Sequence, residues 1–350
     1  MRLPLRRTGN AALREYLHSP ELIRLAIVLG VVVSMIFYEK VQLTTGGAIV
    51  PAYLAISLPH PLLIISTLAA GIAAWCVTHV WLPKRKILYG RRKFDVELLV
   101  GLGFVAIGTL AAGLTGSYSP MLLSLSGIGF LIPGIIAHDM GRQGPKRTLQ
   151  AIAATTAILA LIVYVLEEVL LLIQAVPQSD STLLASVLGY PREFIIVGVL
   201  ASVALGMLIF EKLDLRAGGF VTGGYLALVG PRWTELAFAL VSAVITYVIV
   251  VHLLMPRLLL FGRRKLATMI LVAALVTWSG EVAVMRLTDE SFVPWRGLTV
   301  VTLMVPALLA NDAQRQGWEK TLWGSALAGV GAYGLTNLVA AAAVLLGWFQ

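Results

Sequence analysis

Charge is scarce in this chain: Asp, Glu, Lys and Arg make up 13% of its 350 residues, where a water-soluble domain carries roughly 25%. With 58% hydrophobic residues and a mean hydropathy of +0.87, the polar surface is too small to coat a soluble globule of this size. Cysteine occurs once, as Cys76 in an apolar stretch. No disulfide can form within the chain, and redox compartment is left undetermined. There is no Gly-x-x-x-x-Gly-Lys-[Ser/Thr] loop for nucleotide phosphates and no His-Glu-x-x-His zinc helix. A Gly-x-Ser-x-Gly elbow and paired carboxylates in a hydrophilic domain are missing too. The five histidines, His18, His60, His79, His138 and His252, show no metal-ligand spacing. No metal, no cofactor and no ATP chemistry by the chain alone are expected. The N-terminal stretch is basic, and the first apolar run lacks the small-residue cleavage site of a signal peptide.

What is present is a succession of apolar runs from Leu22 to the C-terminus, several of them near the ~20 residues a helix needs to cross the hydrocarbon layer. These predict an all-α integral membrane protein. The net charge of +9 gathers at the ends of the apolar segments, as membrane orientation requires and nucleic-acid binding does not.

The chain repeats itself. Phe37-Tyr38-Glu39-Lys40, Gly46-Gly47 and Tyr53-Leu54-Ala55 return 172 positions later as Ile209-Phe210-Glu211-Lys212, Gly218-Gly219 and Tyr225-Leu226-Ala227. Gly90-Arg91-Arg92-Lys93 returns as Gly262-Arg263-Arg264-Lys265, again 172 on, and Asp139, Arg142, Gln143 and Gly144 return 173 on as Asp312, Arg315, Gln316 and Gly317. Polar residues agreeing at fixed spacings inside apolar sequence indicate duplication. The expected organisation is a basic segment 1–20, a membrane repeat 21–172, a Pro- and Ser-containing linker 173–191 and a second repeat 192–350.

Apolar segments in the first repeat fall at about 22–38, 46–58, 61–82, 94–114, 124–138 and 149–172. The second and fifth are short and hold Gly and Pro, which fits thin crossings or re-entrant half-helices and often marks a transport or binding pathway. Matching basic loops in both halves predict two tandem parallel repeats of about six transmembrane or re-entrant helices each. Ten Lys and Arg lie in the loops around Glu39-Lys40, Lys84–Lys93 and Asp139–Arg147, and eight in their counterparts. These loops are expected to face the cytoplasm across the cell membrane. The same plan puts the basic N-terminus outside, unless that segment lies along the interface as an amphipathic helix.

The Phe37–Lys40 element, Val50-Pro51-Ala52-Tyr53-Leu54, Leu88-Tyr89-Gly90-Arg91-Arg92-Lys93-Phe94 and Gly127–Gly134 through Gln143-Gly144 resemble the PgsC/CapC family. The likeness covers essentially all of the first repeat; the second diverges more, with Pro51 replaced by Gly223. The resemblance implies a small membrane subunit of poly-γ-glutamate synthesis. It would anchor a cytoplasmic, ATP-dependent Mur-ligase-like subunit, sit beside a further membrane-anchored subunit, and take part in polymer export. The tandem form is what a subunit that ordinarily works as a dimer would give on fusion. The alternatives are a stand-alone two-repeat transporter or exporter of an anionic substrate, and a purely structural scaffold.

Each candidate site carries a plain reading beside a functional one. Arg91, Arg92 and Lys93, with Arg263, Arg264 and Lys265, either set topology against anionic lipid or attract a polyanionic chain or an acidic face of the ligase. Glu39 and Lys40, with Glu211 and Lys212, are interfacial ion pairs or lie on a polar pathway. Asp139 and Arg142, with Asp312 and Arg315, share a helix face and are placed to pair, or with Gln143 and Gln316 form a docking point. Glu281, within apolar sequence, is expected near a helix end, protonated or partnered. No residue is assigned a catalytic role.

Overall fold

The computed structural model describes residues 20–59, 61–85, 89–114, 128–172, 194–219, 221–230, 232–289, 292, 294 and 299–345. The basic segment before residue 20 and the linker therefore lie outside the described residues. The described residues are mostly helical. In the first half run α1 (Pro20–Val41), α2 (Val50–Ile56), α3 (Pro61–Trp75), α4 (Gly90–Leu114), α5 (Ile132–Gln143) and α6 (Pro145–Leu172). The second half repeats the order as α7 (Phe194–Leu213), α8 (Thr222–Val229), α9 (Trp233–Tyr247), α10 (Gly262–Leu287), α11 (Thr299–Gln316) and α12 (Trp318–Leu345). Helices α3 and α9 each continue through a π-helical turn, Cys76–Trp81 and Val248–Leu254.

Seven described helices are long and apolar enough to cross a membrane: Leu22–Val41, Pro61–Lys84, Pro145–Glu168, Ile196–Leu213, Trp233–Leu254, Gly262–Leu287 and Trp318–Ala343. Their outer faces leave Leu62, Ile65, Leu161, Val165, Leu275 and Val330 exposed, the pattern of helices bathed in lipid rather than water. The protein is an all-α membrane protein. Buried threonine hydroxyls close onto the carbonyl four residues back, as at Thr78, Thr155, Thr246, Thr277 and Thr336, which removes orphan donors from the apolar interior.

The short segments are explained by what precedes them. Helices α1 and α7 end on left-handed residues, Gln42 (φ 58°) and Asp214 (φ 54°). The chain then runs unwound to the next helix, through Gly46-Gly47 and Gly218-Gly219, all at positive φ. The unwound stretch of each half meets the end of α5 or α11, and α3 ends beside α4 and α5. The ends of α1, α3 and α5 and the start of α4 therefore share one end of the molecule. Helix α3 begins at the opposite end, because its 24-residue span is about 36 Å long. Residues 42–59 thus traverse the bundle once, partly as unwound chain and partly as α2.

Packing repeats in both halves: α1, α2 and α6 form one group and α3, α4 and α5 another, and α7, α8 and α12 and α9, α10 and α11 do the same. Close helix approach depends on small residues, as it must where lipid and side chains are equally apolar. A Cβ on Gly101 would lie 2.4 Å from the Gly134 backbone nitrogen, fixing the α4–α5 crossing; alanines, Ala273 and Ala307, stand there in the second half. Between halves the contacts are reciprocal. Helix α1 packs on α10, and α7 packs on α4. Val31 joins Val250, Ala267, Met269 and Ala273, while Ile196, Val199 and Val203 join Leu98, Leu102 and Val105. That exchange is the pattern of an isologous, two-fold interface.

Candidate functional site

Both Gly-Arg-Arg-Lys turns lie at the end of the molecule where α1 and α7 finish. Gly90 (φ 58°) and Gly262 (φ 55°) occupy the left-handed region, which lets the chain turn sharply into α4 and α10. The arginines that follow reach across to the other half. Arg92 Nη2 donates to Glu211 Oε1 at 3.0 Å, and its counterpart Arg264 Nε stands 2.8 Å from Glu39 Oε1. Arg91 lies over the Phe210 ring at 4.4 Å, and Arg263 over Tyr38 at 5.2 Å. Arg263 Nη2 also donates to Asp139 Oδ1 at 3.1 Å, where Asp139 is buried. The lysines stay within their own halves: Lys93 Nζ is 4.0 Å from Glu97, and Lys265 Nζ donates to Gln314 Oε1 at 2.6 Å.

Two expected pairings are therefore replaced. Glu39 and Glu211 pair not with the adjacent Lys40 and Lys212 but with arginines of the opposite half. Asp139 takes Arg263 as its ion partner within 4 Å rather than Arg142 three residues on, while Asp312 stands 4.0 Å from Arg216 and interacts electrostatically with Arg91 of the first half as well as with Arg315. The physical reason is burial. Asp139 faces inward, where its Oδ2 accepts the Gly47 backbone N–H at 3.1 Å, whereas Arg142 is exposed at the helix end. An inward carboxylate takes the donors that the unwound backbone needs satisfied.

Gln143 and Gln316 complete that work. Gln143 Oε1 accepts the Thr44 N–H at 2.8 Å, and its Nε2 donates to the Thr44 carbonyl at 2.6 Å and to Thr148 Oγ1 at 3.0 Å. Gln316 makes the same three bonds, to the Arg216 N–H and carbonyl at 2.9 Å each and to Thr321 Oγ1 at 3.0 Å. The carboxamide acts as a one-residue strand neighbour for chain that has left the helix. Exposed cations at this end without an ion pair within 4 Å among the described residues include Lys40, Lys212, Arg142 and Arg315, together with Lys84, Lys146, Arg147 and Lys320.

Two features escaped sequence reasoning. Arg24 sits inside α1 and meets Glu281 of α10 at 2.6 Å, both side chains about nine-tenths buried. The suspicious carboxylate thus has its partner in the other half. On the first half alone, His79 and His138 converge on the fully buried Glu97; spacing along the chain gave no hint of it.

The description "Capsule biosynthesis CapC" matches this chain twice, over residues 29–149 and 201–322. The PGA biosynthesis protein CapC of Bacillus subtilis (strain 168) is 33% identical over 121 residues, which is 34% of this chain and 78% of that protein. The capsule biosynthesis protein CapC of Bacillus anthracis is 32% identical over 128 residues, 36% of this chain and 82% of its own length. No solved structure matches.

Proposed function

The chain belongs to the capsule biosynthesis CapC family, and from that premise we propose that it is the membrane subunit of a poly-γ-glutamate, or related anionic poly-amino-acid, synthase in the cell membrane. The curated relatives named for PGA and capsule biosynthesis support the polymer class. The basic end faces the cytoplasm, as the positive-inside rule favours. There it holds the ATP-dependent, Mur-ligase-like subunit and a further membrane-anchored subunit, and it receives the growing polyanion on its way out.

The observation that carries this reading is the double match to one family, together with the gathering of both basic turns at one end. The geometry refines which cations do what. The arginines Arg92, Arg263 and Arg264 hold the halves together. Lys40, Lys212, Arg142 and Arg315 are among those free to attract an acidic chain or an acidic ligase face, in a salt-dependent way. Each half supplies the same pair, so the polymer meets a two-fold basic mouth.

The experiment is affinity purification of the intact chain from membranes, identification of co-purifying cytoplasmic protein, and an ATP-dependent assay for γ-linked polymer in the recovered complex. Recovery of a ligase and polymer formation support the reading. Transport of an anionic substrate by the purified chain alone in liposomes, with no ligase recovered, replaces it with the stand-alone exporter.

A further inference from the structure

Glu97 lies about two turns into α4 and is 0% exposed. His138 Nδ1, from α5, stands 2.6 Å from its Oε2, and His79 Nε2, from the π-helical turn after α3, stands 3.4 Å from its Oε1. Lys93 Nζ is 4.0 Å from the same Oε1. Trp75 stacks on His79, and Phe94 meets His138 edge-on at 4.6 Å. His79 rests on bare backbone, for a Cβ at Gly141 would fall on its ring. The other charged groups nearby face elsewhere: Asp95 and Arg91 pair on the flank toward α7, and Asp139 turns to Gly47 and Arg263. Of the two rings, His79 is 13% and His138 27% exposed, and the cluster lies near the basic end.

The second half shows the same fold without the carboxylate and the two imidazoles, and there Lys265 bonds Gln314 instead. Val251, Met269, Asn311 and Gln314 stand where the first half has His79, Glu97, His138 and Gly141. Met269 is as buried as Glu97, and α9, α10 and α11 pack as α3, α4 and α5 do. Packing at this position therefore accepts a methionine, and replacing a buried ionic cluster by apolar groups is often neutral or stabilising. A buried carboxylate kept with two imidazoles, where the fold has no need of it, marks a working site. Among the described residues no group of three or more His, Cys, Asp or Glu side chains is arranged to hold a metal ion.

We propose that Glu97, His79 and His138 form a proton-binding site, present in the first half only, that exchanges a proton with the basic end. The step is proton transfer alone: an aqueous acid donates to an imidazole nitrogen, the imidazolium pairs with the Glu97 carboxylate, and the reverse transfer releases it. The chain's membrane work is thereby linked to pH through one of its two halves.

The test uses the full chain in detergent micelles with 15N-labelled histidine, and needs neither ligase nor polymer. The His79 and His138 ring signals are expected to change together with pH, with midpoints that Glu97→Gln shifts. His252 should be unaffected. A combined His79→Val, Glu97→Met, His138→Asn and Gly141→Gln variant, which copies the second half, should keep its helix content and elution volume and lose both signals. Rings fixed in one tautomer from pH 5 to 8 would overturn the proposal, as would midpoints indifferent to Glu97→Gln.

Discussion

Removing the Gln143 carboxamide is the sharpest structural perturbation available at the basic end. Gln143→Ala deletes three hydrogen bonds at once, to the Thr44 N–H, the Thr44 carbonyl and Thr148 Oγ1. Thr148 keeps its bond to the Gly144 carbonyl at 2.9 Å, so its loss is small. Thr44 is only 6% exposed, and its two backbone groups are left without partners. Each orphaned group costs about 1–3 kcal/mol, so the variant should lose about 2–6 kcal/mol. Gln143→Glu separates hydrogen bonding from size. It keeps an acceptor for the Thr44 N–H but sets a second oxygen against the Thr44 carbonyl, and should fare little better than alanine. Gln316→Ala repeats the perturbation in the second half. The assay is unfolding of the purified chain in mixed micelles of increasing denaturing detergent, followed by the fluorescence of its eight tryptophans. Losses below about 0.5 kcal/mol for both alanine variants, inside the usual range for neutral surface changes, would refute the account of how the unwound segments are held.

The exchanged pairs should be modest and swappable. Glu39→Arg should cost about 0.2–1 kcal/mol, since both partners are more than a third exposed, and adding Arg264→Glu should restore stability in a double-mutant cycle. The Arg24–Glu281 pair is enclosed, so Arg24→Ala should cost about 3–5 kcal/mol, while Arg24→Leu combined with Glu281→Leu should be near neutral; thermal unfolding in detergent compares them. Gly101→Val should separate α4 from α5, because even a Cβ there meets the Gly134 backbone, and should abolish recovery of monodisperse protein. Lys40→Gln with Lys212→Gln and Arg142→Gln with Arg315→Gln should lower polymer output without reducing the amount of inserted chain, measured by immunoblot of washed membranes.

Much of the architecture was legible because a membrane imposes so few solutions. Apolar runs long enough to span fall on α1, α3 and α6, residues 46–58 stand out as short because the chain there is half unwound, and residues 124–127 of the fifth run lie outside the described residues. Gly46-Gly47 and Gly218-Gly219 signalled that unwinding through positive φ. The partners of the polar residues were not legible. Spacing of three suggested Asp139 with Arg142, yet a buried carboxylate seeks donors in three dimensions and found Gly47 and Arg263. Adjacent Glu39 and Lys40 suggested a local pair, but Arg264 arrives from another helix. Matching the halves for identity also hid the Glu97 cluster, since that cluster is where they differ. The contrast between Glu97 and Met269 at one register was the available signal.

The central claim is that both halves present their basic turns to the cytoplasm. Single cysteines at Lys40 and at Lys212, each exposed and placed in a Cys76→Ala background, test it with a membrane-impermeant maleimide. Both should react in inside-out vesicles and neither in intact cells. Labelling of the two positions from opposite faces of the membrane would contradict the claim.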